Sequence, residues 1–590
     1  MILCVCVFSG RTILLSAGFN FTYYSHAIVI CAGTGIGLII LIMVVLGFLH
    51  LLNAQTAWII LSAIAAIGAL GCLRYKINRP ALILRRQKAY VYLFAAVLTA
   101  FSFIYLLISL SPTFEGDSIA GYLLVAHEYA KKHCIVNVDY AYTSSYPQNG
   151  QMLSTLGFLL HGQILAQLLV SFSMGIVCIG ALYAIGRRYF SKIAALIGMA
   201  IWYTSASVAY INGSGKIDLA WAAFDMLAIL SFCRWYFEPP QQRLYRWLIL
   251  SGFFLGIAGG IKQASIFTVL VLSCGVAYRL ISEKNLKLSS WVTSYSSLAL
   301  PASLAIIWVI RSLLMRGKPS VDTNDFVNYK TITGFIRVLW EMSMTGNAVS
   351  IEGPRGKSIG PAILAVLPLL ALVRKPEKKI YHFLAFSGLM LILWFNGVQR
   401  ARHLLPTLAI LSIAAGYVIA RLAEDRNWFA RIIIICMTVA CLLQLGQLTY
   451  IQLIATKRFS YIFGRQNFEE YLAVNTKNSK WFPKLQILHY IRNELDSSAR
   501  IACAPAIHSF YLEKPAYTGW TQNPETDPEA KNLLAELKRK NITHVFINDI
   551  AVSYYDHHAT WLFDSSFQAK YLKKIICEEN QCLYELLLHY

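Results

Sequence analysis

Apolar runs of eighteen or more residues recur along this chain, and no soluble fold can bury so many of them. The stretch "AIVICAGTGIGLIILIMVVLGFLHLL", residues 27–52, contains no Asp, Glu, Lys or Arg. As a helix it is long enough to cross the hydrocarbon core of a bilayer. The same pattern predicts spans at 27–52, 57–73, 89–110, 164–186, 193–211, 218–236, 247–262, 263–282, 289–315, 360–374, 380–397, 403–421 and 431–455, about thirteen in all. Segments 247–262 and 360–374 are short and read as tilted or broken helices. Hydrophobic residues make up 57% of the 590 positions and charged residues only 14%. A soluble chain of this length would carry more charge.

The formal charge of +22 points first to nucleic acid. Its distribution excludes that partner, because the basic residues lie in short loops between spans. One alternate set of loops holds Arg74, Lys76, Arg79, Arg85, Arg86 and Lys88, then Arg187, Arg188 and Lys192, then Arg243, Lys284 and Lys287, and finally Arg374, Lys375 and Arg426. Short loops of the other set hold little beyond Lys216, Arg400 and Arg402. The positive-inside bias makes the rich set cytoplasmic. Loops 111–163 and 316–359 and the tail after 455 are then expected outside. Residues 1–8 are apolar without a preceding basic stretch, so a cleaved signal peptide is not expected.

The expected organisation is a transmembrane domain over 1–455 and an extracytoplasmic α/β domain over 456–590. In that tail helical patterns ("FPKLQILHYIRNEL", "PEAKNLLAELKRK") alternate with strand patterns ("ARIACA", "THVFIND", "KIICEENQCLYEL"). Cys577 and Cys582 bracket a hairpin turn. Outside the membrane they form either a cross-strand disulfide or two free thiols. The other cysteines mostly sit in apolar segments, and no Cys/His cluster has zinc spacing.

Ionisable residues at span ends are functional candidates by default. Glu115 and Asp117 in "EGDSIAGYL", Lys216 and Asp218 in "NGSGKID", Lys262 in "GGIKQAS", Arg311, and Gln399, Arg402 and His403 in "VQRARH" all fall on the face opposite the basic loops. Each has a plainer reading. Asp117 could cap the helix starting at Ser118. Ile119, Tyr122, Leu123, Ala126 and Tyr129 would then form an apolar stripe lying in the membrane interface. Lys262, Arg311 and Arg402 could be interfacial anchors. Asp218 could pair with Lys216 or Lys262, and His403 could be a satisfied helix-end histidine. Read jointly, a carboxylate at the outer lip could act as general base on a hydroxyl, and nearby cations could hold a phosphate leaving group.

These motifs, in this order, resemble those of the polytopic GT-C glycosyltransferases that use lipid-phosphate-linked sugars, the bacterial relatives of protein O-mannosyltransferases and aminoarabinose transferases. The resemblance covers about residues 90 to 585. It rests on "EGDSIAGYL", on "SSYPQNGQML" with Tyr146 and Pro147, on Asp218, and on Gly256, Gly260 and Lys262. It continues in "WVIRSLLMRGKP" with Trp308, Arg311, Gly317 and Pro319, and in "RHLLPTLAIL" with Arg402 and Pro406. It implies Asp117 as catalytic base, presented by a helix lying on the membrane, with Glu115 as runner-up. It implies Lys262, Arg311 and Arg402 as donor-phosphate ligands, and Asp218, Tyr122, Tyr146, Gln399 and His403 as supporting residues.

The implied reaction moves a sugar, with inversion, from a polyprenyl-phosphate donor to a hydroxyl of a lipid, glycan or protein acceptor. It would take place at the outer face of a bacterial inner membrane. Four positions depart from the family pattern, among them His403, which follows Arg402 where relatives have Tyr. Gly121 and Tyr122 replace a common Tyr-His, and Gln151 stands where many relatives have Glu. The last change weakens the case for a metal held between loops, so no metal ligand is assigned and a divalent cation is left open as cofactor. The rival readings are a flippase or transporter, or a polymerase, for lipid-linked glycans. A transporter would place its cations near the midplane within pseudo-symmetric halves, and no internal repeat is visible.

Overall fold

In the computed structural model, residues 1–21, 24–75, 89–239, 244–285, 287–317, 329–344, 359–397, 399–424, 428–477, 479, 482–504, 508–518, 520, 527, 529–548 and 561–587 are described. Lys76, Arg79, Arg85, Arg86, Lys88, Arg243, Pro319, Arg426 and most of the 316–359 loop lie outside them. The chain divides into two units. One comprises 1–112, 129–136 and 145–452, and the other 113–128, 137–144 and 453–590.

The first unit is helical. Every one of the thirteen apolar segments carries a helix, and nine helices among the described residues are long and apolar enough to cross a membrane. The chain is therefore an integral multi-pass membrane protein. Two helices form the centre of this unit. Asp218–Tyr236 is buried at every position except Arg234, and Leu405–Glu424 packs on it, buried along nearly its whole length. A helix apolar all round belongs in such a centre.

Three expected spans are interrupted. Segment 193–211 breaks into Lys192–Tyr203 and Ala206–Ile211, the second capped by the Ser205 hydroxyl. Segment 289–315 passes through a 3₁₀ turn at Ser303–Ala305, just after Pro301, which has no amide hydrogen to give the helix ladder. Segment 360–374 is a helical turn, Ala362–Val366, followed by a 3₁₀ helix, Leu367–Leu372. One helix was not expected. Ile2–Ser16 packs against Tyr24–Phe48 and Ala54–Arg74. At fifteen residues, with Ser9, Gly10, Arg11 and Thr12 in its middle, it falls below the pattern that marks a span.

The second unit is α/β. Its strands are β1 (Ile501–Ala504), β2 (Ala516–Tyr517), β3 (His544–Asn548), β4 (Leu572–Glu578) and β5 (Gln581–Leu586). They form one mixed sheet in the order β2-β1-β3-β5-β4, parallel from β2 to β3 and antiparallel beyond. Helix Lys531–Arg539 buries Leu533 and Leu537 in a core with Ala502, Val545, Ile547 and Phe567. Cys577 and Cys582 close the β4–β5 hairpin as a disulfide, so of the two alternatives the bonded one is realised.

Two pieces of the first loop complete this unit. Tyr511 donates its hydroxyl to the Thr113 carbonyl, and the rings of Tyr140 and Tyr517 meet edge to face at 5.6 Å. The helix after Asp117 begins as a π-turn, Ser118–Tyr122, and continues as Leu123–Lys132. Its stripe of Ile119, Tyr122, Leu123, Ala126 and Tyr129 is buried in protein, which corrects the expectation of a face laid on lipid. On the same helix, Phe510 of the C-terminal segment meets the His127 ring at 5.7 Å.

Candidate functional site

In the transmembrane unit, three cations converge on one buried carboxylate. The turn between Ala206–Ile211 and Asp218–Tyr236 is "NGSGKI", with Gly213 and Gly215 at positive φ of 78° and 81°. Glycine takes that conformation without strain, so the chain can reverse tightly there. The reversal buries Lys216 and Asp218 completely. Asp218 occupies the first turn of its helix, where the helix dipole favours a negative charge. Its Oδ1 pairs with Lys262 Nζ and lies 3.9 Å from Arg402 Nε, and Lys216 acts on the same carboxylate electrostatically. Asp218 Oδ2 has no hydrogen-bond partner among the described residues. Three cations thus gather on one carboxylate among the described residues.

The surroundings explain how Lys262 is placed. Lys262 lies just beyond Arg246–Gly259 and remains bonded to it through its amide, 2.8 Å from the Ala258 carbonyl. Asn149 locks this turn. Its amide donates to the Gly260 carbonyl (2.8 Å), its Nδ2 to the Ile257 carbonyl (3.1 Å), and its Oδ1 accepts from Trp308 Nε1 (2.8 Å). Gly260 is required for that approach, because a Cβ there would come within 2.0 Å of Asn149 Nδ2. Trp221 lines the site, 5.5 Å from Lys262 Nζ and 6.4 Å from the His403 ring.

The remaining candidates fall elsewhere in this unit or carry other bonds. Arg311 donates to the Val136 carbonyl at 2.8 Å and sits over the Trp308 ring at 5.9 Å. Gln399 bridges backbone, accepting from the Tyr329 amide and donating to the Tyr329 and Phe395 carbonyls. Buried His403 lies in the turn Ala401–Leu404, and its Nε2 has no hydrogen-bond partner among the described residues. The Tyr146 carbonyl accepts from the Gln148 side chain. Gln151 is buried with neither amide atom bonded among the described residues, and no group of three His, Cys, Asp or Glu there could hold a metal ion.

Asp225, two turns along the same face of the helix from Asp218, escaped the sequence reading. Its carboxylate accepts from Ser265 Oγ and from Thr268 Oγ1 (2.8 Å), tying Asp218–Tyr236 to Ser265–Ser282 three residues past Lys262. Only its place mid-span could have flagged it. Asn149 gave no signal, since it is an uncharged residue in a loop motif.

In the second unit the two loop carboxylates have separate jobs. Glu115 Oε2 accepts from both the amide and the hydroxyl of Ser118 at 3.1 Å, so Glu115 supplies the cap that the plainer reading gave to Asp117. Asp117 Oδ1 instead accepts from the Tyr142 hydroxyl at 3.1 Å. His508 lies beside it, with its ring edge to face on Phe482 at 5.3 Å. Burial pushes the His508 pKa down to about 4, with Asp117 opposing. The imidazole is therefore neutral at pH 7. Glu115→Ala should cost this unit about 1 kcal/mol, the usual worth of a cap. Thermal unfolding checks this, and an equal loss in Asp117→Ala but none in Glu115→Ala would reverse the assignment.

Residues 149–310 match the family model described as dolichyl-phosphate-mannose-protein mannosyltransferase. Comparison with curated proteins gives no sequence match. Among solved structures the chain is similar to ArnT from Cupriavidus metallidurans in the apo state, at 14% identity and a TM-score of 0.52, over 84% of this chain and 97% of that one. The oligosaccharyltransferase of Archaeoglobus fulgidus aligns at 13% identity and TM-score 0.45, covering 83% of this chain and 72% of that one. The mycobacterial arabinofuranosyltransferase AftD aligns at 13% and 0.45, covering 83% and 41%. The chain is a multi-pass membrane protein with the GT-C fold, similar over residues 149–310 to the glycosyltransferases that use lipid-linked sugars.

Proposed function

We propose that this chain transfers a sugar from a polyprenyl-phosphate donor to an acceptor hydroxyl at the outer face of a bacterial inner membrane. The observation that carries the reading is the excess of cations around Asp218: Lys216, Lys262 and Arg402 against one carboxylate, all buried or nearly so. Like charges held together in a low-dielectric site repel strongly, so such a group favours an anionic ligand. The donor's phosphodiester brings one negative charge. The polyprenyl phosphate that leaves develops a second. Cations gathered in this way fit the more highly charged leaving group better than the donor, which is what lowers a barrier.

In the proposed reaction the acceptor oxygen forms a bond to the anomeric carbon while the bond from that carbon to the phosphate oxygen breaks. The bonding pair goes to the phosphate, where Lys216, Lys262 and Arg402 neutralise it. Asp117 takes the acceptor's proton. A single displacement of this kind inverts the anomeric centre. Glu115, already spent on Ser118, is the weaker candidate for base. The flippase reading also uses cations, but it gives no role to a carboxylate such as Asp117.

Donor-lipid affinity tests the site. Lys262→Ala and Arg402→Ala should each weaken binding of a polyprenyl-phosphate sugar by about ten- to a hundredfold, the loss of one charge-assisted contact. Arg311→Lys separates two roles. A phosphate ligand would lose its paired donors and bind the lipid less well. A tether to Val136 would leave affinity unchanged. Wild-type affinity in Lys262→Ala and Arg402→Ala, both folded, would leave the cations as structural partners of Asp218.

A further inference from the structure

Helix Asp218–Tyr236 carries the cationic group at its first turn and a second feature around its last two. There it forms, with Ser265–Ser282 and Lys378–Phe395, an apolar cleft of about 620 Å³. Ile229, Phe232 and Tyr236 line it from the central helix, and Tyr278, Phe386 and Leu389 from the flanking two. At 1.5 Å per residue, the cleft lies about 16 to 27 Å along the helix from Asp218, toward the opposite leaflet. It opens sideways: Tyr278, Tyr381 and Leu389 are all largely exposed in a part of the molecule that the bilayer surrounds. Its polar atoms are few, and two of them satisfy each other, the Tyr236 hydroxyl and His382 Nδ1 at 3.0 Å. An apolar space of this kind does not hold water.

The mouth is charged. Arg188 and Arg234 meet Glu238 at 2.6 and 3.7 Å, and Arg279 meets Glu283 at 2.8 Å. Lys378 borders the cleft with Lys379 and Glu377 beside it, and neither lysine has an ion-pair partner among the described residues. Lys378 and Lys379 thus bring positive charge to this end of the helices that no ion pair among the described residues takes up. We infer that the cleft binds one chain of an anionic phospholipid, whose phosphate rests on Lys378 and Lys379. This inference is independent of the sugar-transfer reading and stands or falls separately.

Photo-crosslinking in lipid nanodiscs tests it. Phosphatidylglycerol and phosphatidylcholine, each with a diazirine in one acyl chain, are compared on the full-length protein, and labelled peptides are mapped. Phosphatidylglycerol should label the segment around Cys274 and Tyr278 and that around Leu389 about thirtyfold more than phosphatidylcholine, the factor expected for two basic residues at an anionic headgroup. Lys378→Glu with Lys379→Glu should remove that preference at an unchanged unfolding temperature. If the pair misfolds, Lys378→Gln carries the same test. Ala385→Trp, which fills the cleft from an exposed lining position, should lower labelling by both lipids. Equal labelling of the wild type by the two lipids would overturn the inference. So would labelling indifferent to the variants, or labelling by a diazirine polyprenyl phosphate alone.

Discussion

Asp117→Asn should lower sugar transfer by about 10²–10⁴-fold, the usual cost of a lost general base, and should leave the fold intact. The Asn side chain keeps an oxygen that can accept from Tyr142, and Ser118 is capped by Glu115 rather than by Asp117. The Tyr142 bond and the Ser118 cap are therefore kept, and the effect should appear in kcat with normal expression and unfolding temperature. Glu115→Gln retains an acceptor for Ser118 and should transfer at nearly the wild-type rate. The opposite pattern, with Asp117→Asn active and Glu115→Gln dead, would move the base to Glu115. Full activity in both would remove this loop from the chemistry.

Asp218→Ala should destabilise the transmembrane unit by about 3–5 kcal/mol, the cost of leaving buried charge without its partner. Lys216, Lys262 and Arg402 would then face one another with no carboxylate between them. Removing one cation as well should restore part of the loss, so Asp218→Ala with Lys262→Ala should be more stable than Asp218→Ala alone. That non-additivity is the signature of a direct pair. Both variants are compared by thermal unfolding in detergent. Additive losses, or an Asp218→Ala protein as stable as the wild type, would mean that the carboxylate does not hold the cations in place.

The features legible in the sequence are those encoded locally. Apolar runs marked the spans, because twenty consecutive residues decide whether a helix can sit in hydrocarbon. Alternation and turn chemistry marked most of the tail's strands in the same way. Breaks at Ser205 and Pro301 do not interrupt hydrophobicity, so they left no mark at this level. What stayed hidden depends on partners far away in the chain. Asp225 is explained by Ser265 and Thr268, some forty positions on. Asn149 is explained by Gly260 and Trp308. Arg311, grouped with the other cations by its motif, spends its guanidinium on Val136. The sequence reading gave the cap to Asp117 because it directly precedes Ser118, and only geometry showed that Glu115 makes the bond. The cations around Asp218 were visible one by one as expensive charges at span ends. That Lys216, Lys262 and Arg402 share one carboxylate was not.

The most direct measurement uses purified protein in sealed vesicles with a radiolabelled polyprenyl-phosphate sugar and candidate acceptors. The account predicts that label passes to an acceptor as polyprenyl phosphate is released, and that Asp117→Asn abolishes this while still binding the donor lipid. Intact labelled carrier crossing the bilayer without transfer, at equal rates in the wild type and Asp117→Asn, would contradict it.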